Sequence, residues 1–274
     1  MIELGKQSFR KVLRIIRTQN NKNLFWWQGP PYNAGDWVGP FLYKAITSNE
    51  PHFRKASNKS LSTVYLTVGS LARWFCEDSI VWGSGIIERN EDFWQPYQTL
   101  AVRGPHTRDR FLELGYSCPE IYGDPAILMP KFYKPEQAVE YKLGIIPHYS
   151  NFDQAIEYYG KDEDTLVIDI KLPLKEVIKK ILSCKSIVSS SLHGLIFAHS
   201  YKIPAGYIEF TSKPGGDGVK FMDYYASGKI MSVPEALILN NKVPVIELEQ
   251  HAISSPMPDL DPLLDPLLAA CPFK

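Results

Sequence analysis

The stretch Ser189-Ser190-Ser191-Leu192-His193-Gly194 follows the apolar pair Ile187-Val188 and precedes Leu195, Ile196 and Ala198. That order reads as a strand end, a polar turn with a serine N-cap, and the inner face of a helix. His193 and Gly194 then fall in the first helical turn, where free backbone N–H groups and the positive helix end favour phosphate or carboxylate. A histidine there is a proton donor beside a bound anion. The same residues also suit an ordinary capped helix whose histidine is satisfied by a neighbour.

Further corners carry related chemistry. In the glycine- and proline-rich loop before residue 37, Gly35 permits close backbone approach, while Asn33 and Asp36 offer an amide and a carboxylate at a helix start. Asp36 equally suits a plain N-cap. In Val102-Arg103-Gly104-Pro105 a strand ends on arginine, glycine bends the chain and proline opens a helix. This spacing aims a guanidinium into the space above a sheet, as a clamp for an anion. Ile146-Pro147-His148-Tyr149 puts a histidine at a strand end, as polar lining or a structural hydrogen-bond partner. Trp82-Gly83-Ser84-Gly85 lacks the third glycine of a dinucleotide fingerprint, and Asp124 before Pro125 suits a turn.

The elements that must position these corners alternate in type. Strands are expected at 63–68, 80–82, 100–103, 143–146, 166–170, 186–189 and 205–208, and helices at 37–47, 105–114, 174–182, 192–201 and 219–226. Such alternation predicts a parallel sheet covered by helices. A proline-bearing polar stretch at 129–137 marks a domain boundary, giving an N-terminal Rossmann-like domain over 1–130 and a C-terminal one over 131–245 that face a cleft. Residues 246–274 are expected as an arm or tail, extended from Pro256 because proline blocks regular helix.

Composition narrows the partners. With 30 basic and 30 acidic side chains in 274 residues, nothing in the overall charge favours nucleic acid. The four cysteines are scattered without metal-ligand spacing, so no metal site or disulfide framework is expected. The chain reads as cytoplasmic, with no signal peptide or spanning segment. Residues 1–20 are basic, with Phe9, Val12, Leu13 and Ile16 at helical spacing. They suit either a helix touching anionic lipid at the inner face of a membrane or a surface helix docked on its own domain.

Taken in order, the corners resemble the polysaccharide pyruvyl transferase family. The likeness runs through Asn33-x-Gly35-Asp36, Val81-Trp82-Gly83-Ser84-Gly85, Val102-Arg103-Gly104-Pro105-x-Thr107, Gly123-Asp124-Pro125-Ala126, Gly144-Ile145-Ile146-Pro147-His148-Tyr149 and Ser189-Ser190-Ser191-Leu192-His193-Gly194. It extends through Tyr201-x-Ile203-Pro204 to Asp223-Tyr224-Tyr225-x-Ser227. The serine form of the last corner is similar to the branch acting on succinoglycan-type exopolysaccharides; some members have arginine where this chain has Ser191. The resemblance implies a two-domain, glycosyltransferase-B-like fold. It also implies transfer of pyruvate from phosphoenolpyruvate to a hexose of an exopolysaccharide or its lipid-linked precursor, as a ketal, with no cofactor. His193 would be the general acid and Asp36 or His148 the base. Arg103, the helix start at Ser190, Ser191, Leu192 and Gly194, and the loop at Asn33 and Gly35 would bind substrate. A glycosyltransferase using a nucleotide sugar, and a non-catalytic saccharide binder presenting Trp26, Trp27 and Trp37, share the same architecture.

Overall fold

The computed structural model describes residues 22–57, 62–210 and 215–274; residues 1–21, which include the basic segment, lie outside the described residues. The first sheet contains β1 (Asn23–Phe25), β2 (His52–Phe53), β3 (Val64–Leu66), β4 (Ser79–Trp82) and β5 (Gln98–Ala101). The second contains β6 (Tyr141–Ile146), β7 (Thr165–Val167), β8 (Cys184–Ser189), β9 (Ala205–Phe210) and β10 (Leu237–Leu239). All the paired strands are parallel. Val64, Tyr65 and Leu66 are buried on both faces, as parallel strands covered by helices require. The protein is thus α/β with two Rossmann-like halves, an arrangement consistent with a glycosyltransferase-B-like molecule.

The strand orders are β2-β1-β3-β4-β5 and, in the same sense, β7-β6-β8-β9-β10. Each half therefore reverses its winding once, between β1 and β3 and between β6 and β8. In open α/β sheets such a switch point opens a crevice beyond the carboxyl ends of the strands.

The helices are α1 (Val38–Thr47), α2 (Pro105–Glu113), α3 (Met129–Phe132), α4 (Phe152–Tyr159), α5 (Leu174–Leu182), α6 (Leu192–Ser200), α7 (Val219–Ser227), α8 (Val245–Ser254) and α9 (Asp261–Ala269). In α5 the apolar positions Leu174, Val177, Ile178 and Ile181 form a buried stripe, whereas α6 is buried from Leu192 to His199 on every side. A helix without a polar face belongs inside a molecule. One core joins the halves around α6, running from Leu24, Tyr65 and Trp82 to Ile146, Ile196 and Tyr224.

The extended arm expected from Pro256 is corrected. Pro262 lies in the first turn of α9, where its missing N–H costs nothing, and Pro266 is tolerated inside it. The segment returns to the first sheet. Trp82 Nε1 donates to the Leu267 carbonyl at 2.8 Å, and the Phe273 ring meets Tyr43, Tyr65 and Trp82 edge-on. Strands β1, β2 and β10, of two or three residues each, are not among the strands expected from the sequence.

Candidate active site

The two switch points face each other across an open cleft of about 880 Å³. The loop after β1 contributes Trp27, Asn33 and Asp36, and the loop after β3 contributes Gly69, Ser70 and Trp74. From the other half come His148 and Tyr149 after β6, Ser191, Leu192 and His193 after β8, and Lys220 in the first turn of α7. The backbone N–H of Ala34 donates to the Ile170 carbonyl at 2.9 Å, tying the Asp36 loop to the second half.

His193, carried by the second half, packs against the first. Its Nε2 is buried without a hydrogen bond and lies 3.8 Å from Asp124 Oδ2. That carboxylate is fully buried; its oxygens accept the N–H groups of Ala126 at 3.0 Å and Gly69 at 3.4 Å. Across the ring, a Cβ added to Gly35 would fall 2.0 Å from His193 Nδ1, so glycine is needed there for close approach. Gly194 serves likewise, since a Cβ would lie 2.3 Å from Ser189 Oγ. Both glycines shape the site through packing; the cleft wall itself runs through their neighbours.

Asn33, and not Asp36, is the cap of the short turn: its Oδ1 accepts the Gly35 N–H at 2.9 Å. Asp36 is left facing the cleft. Burial raises its carboxyl from 3.8 to about 6, against the pull of His193 and with a smaller push from Asp124. His148 moves the other way, to about 4, through burial and then the positive charge of Lys220. Its Nδ1 lies 2.8 Å from Ser150 Oγ and its ring packs on Tyr149 at 3.9 Å. His199, at the far end of α6, is structural, bonded to Tyr224 Oη at 3.0 Å.

Arg103 does not point into open space above the sheet. It is wholly buried: Nε donates to Asp223 Oδ2 at 3.0 Å, one terminal nitrogen to Ser70 Oγ at 2.8 Å, and the other to the Ile86 carbonyl. Asp223 also accepts from the Thr107 N–H at 2.9 Å and the Thr107 hydroxyl at 2.6 Å. The guanidinium therefore braces the wall behind Ser70. The Ser190 hydroxyl is likewise occupied, accepting the His148 N–H at 2.8 Å, whereas Ser191 and Leu192 do line the cleft. Of the three tryptophans offered as a sugar-binding face, Trp26 is core, Trp37 packs against that core, and Trp27 lines the cleft beside Trp74.

Sequence reasoning missed Lys220 and the pairing of Asp124 with His193. Asp124 sat in a recognisable Gly-Asp-Pro corner, but its partner is in the other half. Among the described residues no cluster of His, Cys, Asp or Glu is built to hold a metal ion, and all four cysteines are free thiols. No helix among them is long and apolar enough to cross a membrane.

Residues 11–210 match the family described as polysaccharide pyruvyl transferase. An uncharacterized protein of Acanthamoeba polyphaga mimivirus is 31% identical over 199 residues, covering 70% of this chain and 69% of its own. A functionally uncharacterized protein of Klebsiella pneumoniae, solved by crystallography, aligns with a TM-score of 0.46 at 14% identity, over 86% of this chain and 98% of that one.

Proposed function

Because the chain belongs to the polysaccharide pyruvyl transferase family, we propose that it moves pyruvate from phosphoenolpyruvate onto a hexose of an exopolysaccharide or its lipid-linked precursor, forming a cyclic ketal. Family membership supports pyruvyl transfer to a polysaccharide. The observation carrying the finer reading is that His193 and Asp36, from opposite halves, meet on one cleft beside the N-terminus of α6.

The reaction needs one acid, one base and an anion site. Protonation of the donor's methylene carbon leaves positive charge on the neighbouring carbon, which a sugar hydroxyl attacks. Phosphate then departs as a second hydroxyl closes the ring, the two hydroxyl protons passing to the base and to the phosphate. His193 is the group proposed to protonate carbon, with the buried Asp124 carboxylate 3.8 Å from its Nε2. Asp36 suits the base better than His148. A carboxylate near 6 accepts a proton more readily at neutral pH than an imidazole near 4. Free N–H groups at the start of α6 present positive potential to the donor, and Trp27, Trp74 and Tyr149 offer apolar faces to a sugar ring.

The test is phosphate release from phosphoenolpyruvate across galactosyl and glucosyl acceptors with free 4- and 6-hydroxyls, with mass spectrometry of the product. The expected product carries one pyruvate ketal per phosphate released, and His193→Gln abolishes it. Turnover of a nucleotide sugar without phosphoenolpyruvate would replace this reading with glycosyl transfer.

A further inference from the structure

With Arg103 engaged behind the wall, the cation that an anionic donor needs must come from elsewhere in the cleft. Among the described lining residues, Lys220 is the one lysine or arginine. It follows Gly218, whose φ of 85° turns the chain into α7, and its ammonium sits 5.4 Å from the Phe221 ring centroid. The same helix is pinned one turn later, where Asp223 meets Arg103 and Thr107, so the position of Lys220 is set by a buried brace. Among the described residues no carboxylate pairs with it. Burial, helped by the charge of Arg103, lowers its pKa to about 8, which leaves it largely protonated at pH 7. A partly desolvated ammonium without a counter-ion is costly unless an anion completes it.

We propose that Lys220 binds the phosphoryl group of the anionic donor, opposite the α6 start at Ser191 and Leu192. The identity of the donor rests on the pyruvyl transfer reading; the anion site does not.

Inorganic phosphate is titrated into the full chain, Lys220→Met and Lys220→Arg, with fluorescence of the cleft tryptophans as the signal. The KM for phosphoenolpyruvate is measured alongside. Lys220→Met is expected to weaken phosphate binding and raise that KM by about tenfold or more, the loss of one charge-assisted hydrogen bond, at a melting temperature no lower than the parent's. Lys220→Arg should stay within a few-fold of the parent. Unchanged phosphate affinity in Lys220→Met, or no phosphate binding by the parent chain, overturns the proposal even if pyruvyl transfer is observed. Lysine-dependent phosphate binding without any turnover of phosphoenolpyruvate leaves the anion site standing and removes the functional reading.

Discussion

At the scale of single residues, the site sets two carboxyl groups around one imidazole. Asp124 is buried and spends its oxygens on backbone N–H groups, whereas Asp36 faces the cleft with its acidity displaced upward to about 6. The folded chain thus retains, between pH 3.8 and about 6, a proton that the unfolded chain has lost. Stability from this group is greatest below that window and falls as pH rises through it; at pH 7 the ionised carboxylate costs on the order of 3 kcal/mol. Asp36→Asn should therefore raise the unfolding free energy at pH 7 by about that amount and change it little at pH 3.5, as measured by denaturant titration. The same change should lower pyruvyl transfer about 100-fold or more and remove the acidic limb near pH 6 from kcat/KM. A variant that is less stable at pH 7, or that keeps the limb, contradicts the role given to this carboxyl.

At the scale of elements, α7 matters most, because it carries a cleft cation and a wall brace one turn apart. Arg103 and Asp223 are both fully buried, and Gly104 approaches so closely that a Cβ would lie 2.0 Å from the Asp223 carbonyl oxygen. Removing one member leaves an uncompensated buried charge, which costs about 3–5 kcal/mol. Arg103→Met and Asp223→Asn should each lose stability on that scale, and the double variant less than the sum, in a thermal or denaturant cycle. If Arg103→Met instead folded normally and only raised the KM for donor, Arg103 would be the clamp its sequence position suggested. Arg103 lies two residues beyond the end of β5, close to the expected strand end; its partner, 120 residues away, has no local signature.

At the scale of the molecule, the halves share a core, and the last residues close it from the N-terminal side. Phe273 is buried against Tyr43, Tyr65 and Trp82, so Phe273→Ala should cost about 3–5 kcal/mol and unfold both halves together in a single calorimetric transition. Two separated transitions would show that the halves fold independently. The sequence by itself determined the alternation of strand and helix, the parallel class, and the Ser-Ser-Ser-Leu-His-Gly corner, because periodicity and capping are written within a dozen residues. It also located Asp36 and His193 at separate helix starts. Only the tertiary structure decided that these helix starts meet, that Asp124 lies beside His193, that Arg103 is consumed by Asp223, and that a lysine lines the cleft. Those facts depend on which sheet end faces which, and on burial that changes the chemistry of a side chain without changing its neighbours in sequence.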